Sequence, residues 1–210
     1  MNIGIIGSGN MGTGLGKIWL EKGHTVMYSF SHSPEKLKAL AASHPNALSG
    51  TPEQAVTHGD VILLAVGWQS LHDAITAAGP VRNKVLIDCT NPLNSDASAL
   101  EVGLTTSGGE EIAGLLPEAR VAKAFNTVYA EIYHSDSRLF GSRMPTMLYC
   151  GDDPEAKRIV SKLIIDAGFE PVDAGALKSS RYLEPLAMLM IQLGVVQGMG
   201  TDITLSLIWR

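Results

Sequence analysis

The chain is poor in the residues that announce most kinds of chemistry. It has two cysteines, Cys89 and Cys150. Each lies in an apolar run and neither belongs to a C-x-x-C pair, so two small buried hydrophobes in a reducing compartment are expected rather than a disulfide. No His, Cys or Asp cluster has metal-ligand spacing, and no metal is expected. The charge balance is -5, with only 18% charged residues and no basic cluster, which argues against nucleic acid as a partner. An anionic ligand must then be held by local groups rather than by a global positive field. The most apolar stretch, Leu186 to Met199, contains Gln192, Gln197 and two glycines and is short for a membrane span. With no signal-type segment before the first strand, a cytoplasmic protein without a membrane partner is expected. There is no obvious Ser-His-Asp or Cys-His set, so no catalytic side chain is nominated.

What is present begins at once. Asn2 to Ile6 is a short apolar run that reads as a buried strand. Gly7-Ser8-Gly9-Asn10-Met11-Gly12 follows, a helical pattern runs on to Lys22, and His24 to Phe30 reads as a second strand. Strand, G-x-G-x-x-G turn, helix and strand is the order of a dinucleotide-binding βαβ unit. Gly7 suits the tight turn, Gly9 lets the backbone approach a pyrophosphate, and Gly12 lets the helix pack closely on the sheet. The helix N-terminus presents free N–H groups to the phosphates.

The rest of the 210-residue chain keeps the alternation. Ser33-Pro34 and Thr51-Pro52 open helices by a cap followed by proline. The runs Asp60–Val66, Lys84–Cys89, Arg120–Phe125 and Thr146–Cys150 are as apolar as strands covered on both faces. Asp153 caps a helix to Ala167, and Glu170–Asp173 is a short strand whose Pro171 suits a sheet edge. From Lys178 the chain reads as mostly helical, with a kink or restart at Pro185. The pattern predicts one α/β domain over residues 1–210: a Rossmann-type, doubly wound parallel sheet with a small C-terminal helical part, 178–210.

An NAD site usually places Asp or Glu about 20 residues beyond the glycines. Here the second strand ends in Ser29-Phe30-Ser31-His32-Ser33, and no carboxylate appears before Glu35. The hydroxyls of Ser31 and Ser33, with His32 and Lys36, suit the 2′-phosphate of NADP better. Further candidates stand where open α/β sheets bind ligands, at the carboxyl ends of strands. They are Val66, Gly67 and Trp68, whose ring offers a flat face for the cofactor or substrate. Asn91 and Pro92 end the next strand, and Asn126 and Thr127 the one after. The asparagine amides can both donate and accept towards a nicotinamide carboxamide or ribose. His24, His44, His58 and His72 read as surface residues, and His134 as one able to face the pocket. Met188 and Met190 read as core.

Several segments together resemble a known family. They are Gly7–Leu15, Asp88-Cys89-Thr90-Asn91-Pro92-Leu93, Lys123-Ala124-Phe125-Asn126-Thr127-Val128, Gly151–Ala156, Gly168–Gly175 and Arg181–Ala187. In this order they are similar to the coenzyme F420-dependent NADP oxidoreductases and the wider predicted dinucleotide-binding group around them. The resemblance implies a Rossmann fold, often a homodimer, and hydride exchange between NADPH and a deazaflavin. The related domains of the metalloreductases pass electrons from NADPH to a flavin, so FMN or FAD is the second candidate for the small-molecule redox partner. The chain departs from the family at His32, where an Arg usually follows the serine after the second strand.

Three other functions share parts of these features. A flavin or ferric reductase would use the same cofactor cleft. An imine reductase like pyrroline-5-carboxylate reductase shares the first βαβ pattern but carries a longer C-terminal helical domain. A redox sensor would bind NADP(H) without turnover and signal through its apolar C-terminal segment.

Overall fold

The computed structural model describes residues 1–210. The first half comprises β1 (Asn2–Ile6), α1 (Asn10–Glu21), β2 (Thr25–Ser29), α2 (Pro34–Ala42), β3 (Ala47–Ser49), α3 (Pro52–His58), β4 (Val61–Leu64), α4 (Leu71–Ala78) and β5 (Val85–Asp88). The second half adds α5 (Gly108–Leu115), β6 (Arg120–Lys123), α6 (Ala130–His134), β7 (Thr146–Gly151), α7 (Pro154–Asp166), β8 (Glu170–Asp173) and α8 (Ser180–Ile191). The cap-then-proline signals hold. Ser33 accepts from the Lys36 N–H, Thr51 and Gln54 form a reciprocal capping box, and Asp153 accepts from the Ala156 N–H.

The strands form one eight-stranded sheet in the order β3-β2-β1-β4-β5-β6-β7-β8. Its central strand β4 is apolar throughout because successive residues face opposite covered sides. In β4, Val61 and Leu63 enter one core with Trp19, Val26 and Phe169, while Ile62 and Leu64 enter the other with Leu71, Leu86 and Ile112. Pro171 lies on the edge strand β8, as its missing N–H requires.

Three features differ from the sequence expectation. The sheet is parallel from β3 to β6, but β7 runs antiparallel to β6, pairing Ala122 with Gly151 and Lys123 with Cys150. A parallel neighbour needs a crossover laid on the sheet. The only helix between β6 and β7 is the short α6, which packs on α1 instead. The chain therefore comes back along the sheet, and β8 then lies parallel to β7. Second, α8 runs unbroken through Pro185. A π-helical turn, Gln192–Val196, follows it, and beyond Val196 nothing is helical. Gly198 and Gly200, at φ 71° and 82°, end the helix. The tail then lies along the start of β7, where the Thr146 N–H donates to the Leu205 carbonyl. Third, His24 is buried rather than superficial, with Nε2 3.0 Å from the Asp166 carboxylate of α7.

No helix is long and apolar enough to cross a membrane. Cys89 and Cys150 are free thiols, both buried, and burial pushes both thiol pKa values up.

Candidate functional site

The glycine turn joins β1 to α1 at the carboxyl edge of the sheet. Gly7 has φ 113°, and a β-carbon there would strike the Ala65 carbonyl. A β-carbon on Gly12 would strike the Gly7 carbonyl and crowd Ile5. Gly9 is different. Nothing lies within 4 Å of where its β-carbon would stand, so the fold itself does not require a glycine. Its bareness leaves open space in front of α1. That helix has no side-chain cap and no acid in its first turn, so its leading N–H groups and positive dipole end are left to a ligand.

A cleft of about 360 Å³ opens on this turn, lined by Gly7, Ser8, Gly9, Phe30, Ser31, His32, Ser33, Lys36, Val66 and Gly67 among others. No carboxylate lines it. Ser33 Oγ is taken up by its cap and by a hydrogen bond donated to Glu35, and Ser31 Oγ accepts the Ser33 N–H. The Lys36 ammonium is the permanent cation in the lining. Phe30, at φ 55°, turns the chain out of β2 into this wall. The structure thus brings together the glycines, the Ser31–Lys36 group, Val66 and Gly67. Trp68 goes elsewhere. It begins a 3₁₀ turn and packs against Gly108 at the start of α5.

On the other side of the α1 N-terminus lies a smaller, more apolar cavity of about 170 Å³. Met11, Asn91, Asn126, Thr127, Tyr129 and Ala130 form one part of its wall, and Ala187, Met190 and Ile191 of α8 the other. Asn91 and Asn126 are bonded to one another. Asn91 Nδ2 donates to the Asn126 carbonyl at 2.9 Å, and Asn126 Nδ2 donates to Asn91 Oδ1 at 3.0 Å and to the Leu183 carbonyl at 3.1 Å. Pro92 is buried behind them. Asn126 follows Phe125, a non-glycine residue at φ 67° whose ring is held edge-on between Trp19 and Tyr133. Tyr129 Oη donates to the Met190 carbonyl at 2.7 Å and ties the loop after β6 to the end of α8. Asn10 is exposed, and its carbonyl lies 2.9 Å from Nε2 of His134, which is exposed on α6.

Beneath the asparagines is a cluster to which no motif assigned a role. Lys123 Nζ lies 2.7 Å from both Asp88 Oδ2 and Glu184 Oε1, and all three side chains are essentially inaccessible. Burial opposes the charge on Lys123, but the two carboxylates outweigh it and hold its pKa above the usual lysine value. Glu184 also accepts the N–H groups of Gly108 and Gly109 at the start of α5, at 2.9 and 3.0 Å. The sequence does hold a signal. Asp88, Lys123 and Glu184 fall in three separate segments, β5, β6 and α8, each a charged residue beside apolar neighbours. Which charges meet depends on the fold.

With this geometry in view, comparison with known proteins is informative. Residues 2–92 match the family described as NADP oxidoreductase coenzyme F420-dependent. The chain is 29% identical to the F420-dependent NADP reductase of Methanothermobacter thermautotrophicus, with 97% of this chain and 95% of that one covered. It is 30% identical to rat Metalloreductase STEAP3 over 90% of this chain, but spans only 37% of that relative's length. A crystal structure from Arthrobacter sp. FB24, provisionally described as an F420-dependent NADP-reductase, superposes over the whole of both chains with a TM-score of 0.88 at 25% identity. The chain is thus similar in residues 2–92 to the F420-dependent NADP oxidoreductase family, and over its length and in its fold to F420-dependent NADP reductases.

Proposed function

We propose that the protein exchanges hydride between NADP(H) in the cleft and a deazaflavin or flavin ring at the adjoining cavity. The observation that carries this is the position of the two openings. The polar cleft and the apolar cavity share the N-terminus of α1, with Gly9 lining one and Met11 the other. The bare turn and free N–H groups of α1 suit a pyrophosphate. Lys36, with Ser31 and His32, suits a 2′-phosphate and gives a preference for NADP over NAD. NADPH, when bound, supplies the hydride itself. The protein's part is to hold two flat rings face to face and keep water out. Met11, Tyr129, Ala187 and Met190 give the cavity the apolar walls this needs. Coenzyme F420 is the acceptor favoured by the full-length likeness to the Methanothermobacter reductase. FMN or FAD is the alternative suggested by the metalloreductase relative.

The test is loss of nicotinamide absorbance from NADPH and NADH against F420, FMN, FAD and a ferric chelate. Rapid NADPH oxidation with F420 alone supports the deazaflavin. Turnover with FMN, FAD or the ferric chelate alone moves the acceptor to a flavin or metal. Tight NADPH binding without oxidation by any acceptor sinks the proposal and leaves a sensor.

A further inference from the structure

The buried ions Asp88, Lys123 and Glu184 take part in no step of the hydride transfer. Such a cluster is also a weak source of stability. Taking three charges out of water offsets most of their attraction, and apolar residues of matching shape often serve as well. Its constraint on geometry is what the surroundings use. Asp88 Oδ1 accepts both the N–H and the hydroxyl of Thr90, each at 2.8 Å, and so sets the turn leading into Asn91. Lys123 ends β6, and the chain passes from it through the left-handed Phe125 to Asn126. Tyr133 Oη donates to the Phe125 carbonyl at 3.3 Å and holds that turn. Glu184 sits beside Leu183, whose carbonyl receives Asn126 Nδ2. Each member of the cluster is thus one to three residues from a partner in the Asn91–Asn126 contact.

We propose that Asp88, Lys123 and Glu184 are positioning residues for the acceptor side of the site: they lock the ends of β5 and β6 to α8, and thereby fix the Asn91–Asn126 pair and the α8 wall of the cavity. No hydrogen bond or ion pair joins the three to the glycine turn or to the Ser31–Lys36 group of the NADPH cleft, on β1 and β2. The proposal rests on assigning the small cavity to the acceptor.

The test is Glu184→Gln. It keeps the shape but replaces one carboxylate oxygen with an amide N–H, which must face either Lys123 or a glycine N–H. Glu110→Gln is the control. Glu110 also ties α5 to α8, through Arg181 at 2.7 Å, but on a part-exposed surface away from Lys123. In Glu184→Gln, kcat/KM for the acceptor should fall on the order of tenfold to a hundredfold, as small misplacements at a reacting centre do. Its Kd for NADPH should stay within about twofold, because the cleft's own residues are untouched. The side-chain amide signals of Asn91 and Asn126, followed by NMR, should shift and lose protection from exchange. Glu110→Gln should lower the melting temperature and leave both readouts in place. Should Glu184→Gln fail to fold, Asp88→Asn, which keeps Lys123 paired with Glu184, is read in the same way. If the two amide signals and acceptor kinetics are unmoved while stability falls, the cluster only holds the fold and the proposal is overturned. If wild-type protein oxidises NADPH with no acceptor, the hydride-transfer function fails, and the amide signals still decide whether the cluster positions the pair.

Discussion

The two sides of the site are made from different materials. The cleft at the glycine turn is made mainly of backbone: bare glycines, a helix end without a cap, and strand ends, with the Ser31–Lys36 group along one wall. The small apolar cavity is made of side chains: an interlocked asparagine pair over a buried ammonium and two carboxylates, closed by a tyrosine bonded to a distant helix. A site of backbone depends on what is missing at a few positions close in sequence. A site of side chains depends on groups brought together from β5, β6 and α8. In stability, the first should tolerate changes of charge nearby and suffer from atoms added at its glycines. The second should do the opposite.

Lys123→Met strikes the side-chain half hardest. It leaves Asp88 and Glu184 enclosed without their shared cation, and a loss of about 3–5 kcal/mol is expected from denaturant unfolding. A loss much smaller than this would mean that the carboxylates find other partners, and the contrast between the two halves would weaken. Gly12→Ala tests the backbone half. The added carbon meets the Gly7 carbonyl, and overpacking of this kind costs about 1–3 kcal/mol. Gly9→Ala sharpens the point. Its β-carbon enters open space at an ordinary extended φ of -72°, so stability should hold within about 0.5 kcal/mol while NADPH affinity falls. Equal NADPH binding by Gly9→Ala and wild type would show that no phosphate approaches that face.

Ser31→Asp should raise the Kd for NADPH by about tenfold through like-charge repulsion with the 2′-phosphate, and that for NADH far less. Equal changes would mean that the 2′-phosphate lies elsewhere. The smallest effect concerns acid. The Arg181 guanidinium holds the Glu110 carboxyl below the usual carboxylate range, against the opposing push of burial and with help from the Ser107 hydroxyl. Its folded pKa lies below its unfolded one. The contribution to stability is therefore present above the unfolded value, about 4.3, and is lost as pH falls through the folded value. The difference in melting temperature between wild type and Glu110→Gln should shrink as pH drops from neutral to about 3. A difference independent of pH would show that the ion pair is not its source.

The same division explains what was legible in the sequence. The β1–α1–β2 unit, the capped helices and the apolar strands up to β6 depend on local period and turn chemistry, and the structure keeps them within a residue or two. The direction of β7 does not. Thr146 to Cys150 is equally apolar whichever way it runs, and only the failure of α6 to cross the sheet decides the matter. His24 looked superficial because its partner Asp166 is far away in sequence. Residues 197–210 looked helical by composition, although two left-handed glycines end the helix before them. Around the cleft, the glycines and the Ser31–Lys36 group are short segments whose spacing brings them to one opening. Trp68, whose ring turns to Gly108, and the Asp88–Lys123–Glu184 cluster could not be read from spacing, because they depend on how α5 and α8 meet the sheet.

The reversal of β7 has a consequence for how the molecule is assembled. A helix that follows a strand in this architecture travels back against it. Had β7 and β8 pointed the same way as β6, α8 would have run towards the amino edge of the sheet, away from the ligand. Because they point the other way, α8 climbs towards the carboxyl edge. Glu184 passes Lys123, Leu183 meets Asn126, and Met190 arrives at Tyr129. A single change of strand polarity thus turns the last helix from an outer prop into one wall of the small cavity.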